Sequence, residues 1–311
     1  MSKALSVALV GADTPAAQTV LDVLGEMLAD MSFAIAALYP LSDDEDAGTV
    51  ELRDHVLPVI DVEVFDWSTV EAAVFVGVPE LASKYAAQAA QANVAVIDLT
   101  GATQSKVGQP RRGQIVSLPH VLTSMVSATL AAFKTLGQLD FAAATAMVSV
   151  SEDGKSAIEA LSMQTRQLFA QQEVELAGYP KRLAFNVLPT AQRGEEARIH
   201  TELAAAGHAI NSLTVSRVPV FFGHAVSVTA HFAAPQTMAA LEEAIHGAPA
   251  LYLLQGSGAV GIATPQDAIG GDKVWANQLQ LSEDGRTATI WLVADNARLP
   301  ARAAALLLAL V

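Results

Sequence analysis

The chain has 311 residues, a length that accommodates about two domains with a substantial hydrophobic core. Its 52% hydrophobic and 16% charged residues argue against disorder, and its net charge of −14 argues against nucleic acid or anionic membranes as partners. The absence of cysteine excludes disulfides, thiolate metal ligands and a cysteine nucleophile.

The sequence predicts a cytoplasmic protein without a metal site. Its longest apolar run, residues 303–311, is much shorter than the roughly 20 residues of a membrane span. The first residues lack the long apolar core and cleavage site of a signal peptide. The seven histidines form no HExxH or HxxxH pair that would gather metal ligands on one helix face.

Short apolar strands alternate with helices in the first part of the chain. Residues 5–11 predict a buried strand that ends in a glycine turn. A helix follows, with Asp13 or Thr14 as its cap and Pro15 at its first position. Further strands are predicted at 33–38, 72–78 and 94–99, and a helix at 80–92. This alternation indicates βαβ units and a parallel sheet.

The pattern changes after about residue 140. A strand at 142–150 and a helix at 155–170 precede segments in which polar and apolar residues alternate. These alternating strands are predicted at 215–220, 226–232, 274–281 and 287–293, with a last helix at 300–310. Alternation is typical of antiparallel sheets with one covered face. The predicted fold is α/β: a Rossmann-type dinucleotide-binding domain, followed by an α+β domain whose sheet is largely antiparallel.

The first glycine turn is a degenerate nucleotide-binding motif. Three small residues are needed there so that the backbone can approach a pyrophosphate, and this chain has Gly11, Thr14 and Ala17. The acidic residues 43–46 would repel a 2′-phosphate, whereas an acid after the second strand can bind a ribose hydroxyl. No cofactor is predicted from these residues, and NAD is favoured over NADP if one binds. A turn that binds no nucleotide and a solvated acidic loop remain the alternatives.

Four separated segments resemble the aspartate-semialdehyde dehydrogenase family, and they occur in the family's order. They are residues 179–189 (YPKRLAFNVLP), 216–224 (SRVPVFFGH), 263–272 (ATPQDAIGGD) and 291–298 (WLVADNAR). The chain is most similar to the cysteine-less usg-type paralogues of that enzyme. The resemblance implies a dehydrogenase-like protein linked to amino acid biosynthesis, with a Rossmann-type domain at 1–125 and 297–311. It also implies a dimerisation and substrate domain at 126–296 and a homodimer.

The resemblance assigns roles to four polar residues. In this family a cysteine thiolate attacks the aldehyde, a nicotinamide takes the hydride, and a histidine moves the protons. Arg217 falls on the arginine that binds the substrate carboxylate, and His224 falls on the general acid/base. Glu195 and Arg198 fall on a Glu-x-x-Lys pair that contacts the substrate amine and phosphate, with arginine in place of lysine.

The other half of the family's machinery is missing. Val121 stands at the nucleophile position, in the segment LPHV at 118–121. Val148 replaces a glutamine that steadies the acyl group, and Gln104 replaces a phosphate-binding arginine. Ala304 and Leu307 replace polar residues that face the cofactor. The resemblance therefore implies that the parent activity is absent.

Thr123 and Ser124 lie close to the missing nucleophile, and we expect them to cap a helix rather than to catalyse. Three hypotheses follow for the whole chain. It is a non-catalytic homodimer that binds a small anionic ligand through the four retained residues. Alternatively, it is an NAD-dependent oxidoreductase with a non-covalent mechanism, in which His224 is the acid/base. The third hypothesis is a regulatory or structural partner that forms heterodimers with the true dehydrogenase.

Overall fold

The computed structural model describes residues 4–30, 34–44, 46–103, 105, 108–189, 194–256 and 261–311. The chain forms two compact units, Met1–Pro119 with Pro300–Val311, and His120–Leu299. The sequence-based boundaries at 125 and 297 assign a few residues of the second unit to the first. The reason is that the helix beginning at Val121 packs from its first residues into the core of the second unit.

The first unit contains a six-stranded parallel sheet, as predicted, in the order β5-β2-β1-β6-β7-β8. Its elements are β1 (Leu5–Val10), α1 (Pro15–Ala29), β2 (Ile35–Ser42), β3 (Thr49–Leu52), β4 (His55–Pro58), β5 (Ile60–Asp61), β6 (Ala72–Phe75), α2 (Pro79–Gln91), β7 (Ala95–Asp98) and β8 (Ile115–Ser117). The antiparallel pair β3-β4 was not predicted, because its strands are short and largely exposed.

The second unit contains a seven-stranded sheet in the order β10-β11-β9-β12-β15-β14-β13. Its elements are α3 (Val121–Lys134), β9 (Leu139–Val148), α4 (Lys155–Phe169), β10 (Leu188–Pro189), α5 (Glu195–Ala205), β11 (Ser212–Arg217), β12 (His224–Phe232), α6 (Met238–His246), β13 (Leu251–Leu253), β14 (Val274–Leu281), β15 (Thr287–Ala294) and the start of α7 (Arg298–Leu308). The pairs β11-β9 and β13-β14 are parallel and the other pairs are antiparallel, so the predicted largely antiparallel sheet is confirmed.

Strand alternation divides the second sheet into two faces. Its inward residues pack against the apolar sides of α3, α5 and α6 and form the core of the unit. The last helix, α7, buries Ala301, Ala304, Ala305 and Leu308 in the core of the first unit. Within the described part of the chain, no helix is both long enough and apolar enough to cross a membrane.

Three neighbouring strands of the second sheet bring their ends to the same edge. Strands β9 and β11 are parallel, and the last residue of each, Val148 and Arg217, lie opposite one another. Strand β12 runs antiparallel to β9 and begins with His224. Because a parallel strand ends where an antiparallel neighbour begins, Arg217 and His224 reach the same edge of the sheet.

Candidate functional site

The glycine turn of the first unit is built as a helix cap. Gly11 has a φ of 85°, and a Cβ at this position would lie 2.1 Å from the carbonyl oxygen of Val76, so glycine is required there. Thr14, not Asp13, caps α1: its hydroxyl accepts from the Ala17 N–H at 3.2 Å and donates to the Gly11 carbonyl at 2.7 Å. The Thr14 side chain therefore occupies a helix N–H group of the kind that binds a phosphate in nucleotide sites.

The acidic loop after β2 lies at the surface. Asp43, Asp44 and Asp46 are exposed, while Glu45 and Gln104 lie outside the described residues. The backbone N–H of Asp46 donates to the Asp44 carboxylate at 3.0 Å, so part of this loop folds on itself. These contacts are compatible with a solvated loop and do not assign a ribose-binding carboxylate.

Arg217 is buried at the end of β11 and is paired by two carboxylates of the chain. Its Nε and Nη2 atoms donate to the two carboxylate oxygens of Asp153 at 3.1 and 2.8 Å, which is a bidentate ion pair. Its Nη1 atom lies 3.3 Å from Glu195. Burial alone would lower the pKa of Arg217, but its hydrogen bond to Asp153 and the charges of Glu195 and Asp153 raise that pKa above its ordinary value.

Glu152 forms a bridge between two buried histidines. The Nε2 atom of His120 lies 2.9 Å from one oxygen of Glu152, and the Nε2 atom of His224 lies 3.0 Å from the other oxygen. The opposite ring nitrogens are acceptors: Nδ1 of His120 receives the Leu122 N–H at 3.1 Å, and Nδ1 of His224 receives the Ser149 N–H at 3.3 Å. Since a backbone N–H can only donate, both histidines carry their proton on Nε2 and donate it to Glu152.

Glu152 is consequently held as a carboxylate. Burial alone would raise its pKa, but His120 and His224 direct hydrogen-bond donors at its two oxygens. Their hydrogen bonds and electrostatic attraction outweigh burial and lower the pKa of Glu152 well below its ordinary range. Together with Arg217 and its two partners, this bridge forms one polar cluster, in which His120 Nε2 also lies 3.7 Å from Glu195.

Arg198 is connected to the cluster through Glu202. Its Nε atom donates to one oxygen of Glu202 at 2.7 Å, one helical turn along α5. The other oxygen of Glu202 accepts from the backbone N–H of His120 at 2.9 Å and from the hydroxyl of Thr123 at 2.6 Å. Glu202 and the His120 side chain thus accept hydrogen bonds from three donors at the start of α3: the N–H groups of His120 and Leu122 and the hydroxyl of Thr123.

The expectation that Thr123 and Ser124 cap this helix was wrong. The cap of α3 is His120, because its ring nitrogen accepts the Leu122 N–H. Thr123 lies inside the first turn and its hydroxyl is committed to Glu202. An imidazole acceptor is an uncommon helix cap, which explains why the hydroxyl residues were preferred from sequence.

The residue at the family's nucleophile position is a valine, whose side chain cannot act as a nucleophile. Val121 is the first residue of α3 and is buried, as is Val148 at the end of β9. Within the polar cluster, Ser149 Oγ lies 3.2 Å from His224 Nδ1, and His224 is in turn bonded to Glu152. This connectivity resembles a Ser-His-Glu relay, but Ser149 is 0% exposed, so a substrate cannot reach it in this conformation.

Three side chains of the cluster have the composition of a metal site. One donor atom each from His120, Glu152 and Glu195 lies within 4.8 Å of the others. A metal on His120 Nε2 would need the proton on Nδ1, yet that atom accepts the Leu122 N–H. Metal-bound histidines usually donate their second ring N–H to an acceptor. The hydrogen-bond pattern therefore favours the histidine–carboxylate bridge over a bound metal ion.

The structure brings together three of the four retained positions and adds three that were not predicted. Glu195, Arg217 and His224 belong to one cluster, and Arg198 joins it indirectly. The additional residues are His120, Glu152 and Asp153. The signal that could have identified the last two is a pair of acids between an apolar strand and Gly154, which has a φ of 84°.

Comparison with known proteins agrees with this architecture. The family description "Semialdehyde dehydrogenase, dimerisation domain" matches residues 130–299. The USG-1 protein homolog of Pseudomonas aeruginosa is 30% identical over 99% of this chain and 97% of that protein. The aspartate-semialdehyde dehydrogenase of Legionella pneumophila is 29% identical over 96% of this chain and 92% of that enzyme.

A solved structure extends the likeness to the whole fold. Aspartate semialdehyde dehydrogenase II of Vibrio cholerae, in complex with ASA, superposes with a TM-score of 0.89 at 27% identity, over 99% of this chain and 98% of that chain. The fold and site thus define an α/β protein of the dehydrogenase type that has a dimerisation unit and no cysteine. The chain belongs to the semialdehyde dehydrogenase family, which confirms the resemblance found in the sequence.

Proposed function

We propose that this protein is a homodimeric, non-catalytic member of the semialdehyde dehydrogenase family. The observation that carries the proposal is Val121 at the family's nucleophile position in a chain of 311 residues without cysteine. An alcohol could replace a thiolate only with a base and access to substrate. Thr123 is hydrogen-bonded to Glu202, and Ser149 is completely buried.

The proposed dimer is supported by the second unit. The dimerisation-domain match covers almost all of that unit. Along β15, Ile290 and Leu292 are inward core residues, so alternation directs Thr289 and Trp291 to the opposite face. The chain's own segment 263–268 covers part of this face, and a second copy of the chain would cover the rest. A catalytic relative that binds through the same face would instead give the heterodimer of the third hypothesis.

A direct turnover assay tests the absence of the parent activity. With aspartate semialdehyde, phosphate and either NAD or NADP, we expect no reduction of the nicotinamide above background. The Val121→Cys variant should also remain inactive, because Arg217 and His224 stay bonded to Asp153 and Glu152. The Vibrio cholerae enzyme serves as the positive control. Turnover by the unmodified chain would contradict the proposal.

We also propose that the cluster can bind a small anionic ligand, on the condition that the ligand displaces a carboxylate of the chain. A buried arginine needs an anionic partner, because burying an unpaired charge is costly. Arg217 already has a bidentate partner in Asp153 and a second contact in Glu195. An anion at Arg217 would therefore have to displace Asp153, so retention of the arginine does not by itself require a ligand.

The alternative oxidoreductase function depends on a nicotinamide site. His224 and the parallel sheet favour it, whereas Thr14 argues against it because its side chain caps the helix where the pyrophosphate would lie. We expect calorimetric titration with NAD, NADP and their reduced forms to give dissociation constants weaker than about 100 μM, or roughly −5.5 kcal/mol. Tighter binding by any of the four would support a non-covalent oxidoreductase.

A further inference from the structure

Asp153 lies on Arg217 in the manner of a bound carboxylate ligand. Its two oxygens receive parallel hydrogen bonds from Nε and Nη2 of Arg217, at 3.1 and 2.8 Å. A third donor, the Tyr179 hydroxyl, lies 2.8 Å from the oxygen that faces Nε. Arg217 itself is only 4% exposed, so few of its donors remain accessible to solvent. This fork geometry is the one by which arginine recognises carboxylates in general.

The backbone holds Asp153 in this position. Asp153 ends a short 3-10 helix, Val150–Asp153, between β9 and α4. The backbone N–H groups of Val150 and Ser151 donate to the carbonyl oxygens of Val220 and Phe221, at 2.9 and 3.1 Å. Those carbonyls belong to the segment that leads from Arg217 into β12. The carboxylate is therefore tethered close to the guanidinium, and little conformational entropy is lost in the pairing.

We propose that Asp153 is an internal substitute for a ligand carboxylate and keeps external carboxylates away from Arg217. A tethered group competes at an effective concentration of about millimolar or above, and more when the tether is rigid. A free carboxylate at lower concentration would seldom displace it. The inference rests on the proposed role of Arg217 at this site, but it is independent of the absence of turnover.

The carboxylates near Arg217 also disfavour the binding of an external anion. Besides Asp153, the carboxylates of Glu195 and Glu152 interact electrostatically with Arg217 and raise its pKa. One buried oxygen of Glu195, 3.3 Å from Arg217 Nη1, has no hydrogen-bond partner among the described residues. An arriving anion would be repelled by these carboxylates, whereas removal of Asp153 would free the two parallel donors of Arg217 and lower the repulsion.

The test removes the internal carboxylate in two steps. Asp153→Asn keeps the shape and removes the charge, and Asp153→Ala also opens the space. Succinate and acetate are titrated calorimetrically in low-chloride buffer, and thermal unfolding is followed over the same concentrations. We expect Asp153→Ala to bind succinate at least tenfold more tightly than the unmodified chain does, and Asp153→Asn to be intermediate. Acetate should raise the Tm of Asp153→Ala in a saturable manner.

Controls separate this effect from a general change of charge. Glu159→Ala removes a carboxylate from an exposed ion pair with Lys155 on α4 and should bind no more succinate than the unmodified chain. In the Asp153→Ala background, Arg217→Gln should abolish the gained binding. If Asp153→Ala does not fold, the isosteric asparagine variant decides. The inference is overturned if the folded variants bind succinate no more tightly than the unmodified chain, or if the unmodified chain already binds it equally well.

Discussion

Replacing Arg217 by methionine is expected to destabilise the second unit by about 3–5 kcal/mol, because two carboxylates are left without their buried cation. Asp153 would lose both of its hydrogen bonds to the guanidinium, and Glu195 would lose its ion-pair contact. Methionine fills much of the space of the arginine stem, so most of the loss is electrostatic. Urea denaturation followed by circular dichroism measures the difference at neutral pH.

The matched control for this prediction is Lys155→Met. Lys155 pairs with Glu159 on the surface of α4, where both side chains are mostly exposed, and such pairs contribute about 0.3–0.5 kcal/mol. If Arg217→Met and Lys155→Met lower the free energy of unfolding by similar amounts, the buried ion pair contributes no more stability than the exposed one. A double variant that combines Arg217→Met with Asp153→Ala should recover part of the lost stability, because one of the two carboxylates that lost the guanidinium is then absent.

Local sequence patterns predicted most of the architecture of the first unit. The apolar strand before Gly11 and the capped helix after it indicated a βαβ unit, and of the two predicted caps, Asp13 and Thr14, the structure has Thr14. These features depend on neighbouring residues, so a single sequence is sufficient to recognise them. The hairpin at β3 and β4 was missed because each strand has only four residues and most of them are exposed.

The partners within the polar cluster could not be predicted in the same way. Arg217 and Asp153 are 64 positions apart, and His224 and Glu152 are 72 positions apart. Resemblance to a family identified Arg217 and His224, because the family has functional residues at those positions. It gave no reason to examine Glu152 or Asp153. Their importance depends on which strand ends meet at one edge of the sheet, and that is a property of the topology.

The cluster explains how Arg217 and His224 can be retained in the core without a bound ligand. Buried polar and charged groups are costly only when they lack partners. In this chain Arg217 has Asp153 as its partner, and His224 has Glu152. Both partners come from one short helical turn after β9. Interactions within the chain therefore explain why these residues are retained. Removing Asp153 or Glu152 should lower the free energy of unfolding of the second unit.

Glu152→Gln tests the histidine bridge, and we expect it to destabilise the second unit by about 1–3 kcal/mol. The glutamine oxygen can accept a hydrogen bond from one Nε2–H, but its amino group would face the Nε2–H of the other histidine. That histidine would have to give up its bond to Glu152 or its Nδ1 bond to the backbone. Glu159→Gln, at an exposed position of α4, is the matched control and should change stability by less than about 0.5 kcal/mol.

The effect of Glu152→Gln should also depend on pH in a definite direction. The pKa of Glu152 is lowered in the folded protein, so its carboxylate contributes stability above the pKa of an unfolded glutamate, about 4.3. This contribution is lost as the pH falls through the lower folded value. The stability difference between the unmodified chain and Glu152→Gln should be largest near neutral pH and shrink progressively below about pH 4.3. A difference that stayed constant or grew on acidification, measured by urea denaturation, would show that the two histidines do not hold Glu152 as a carboxylate.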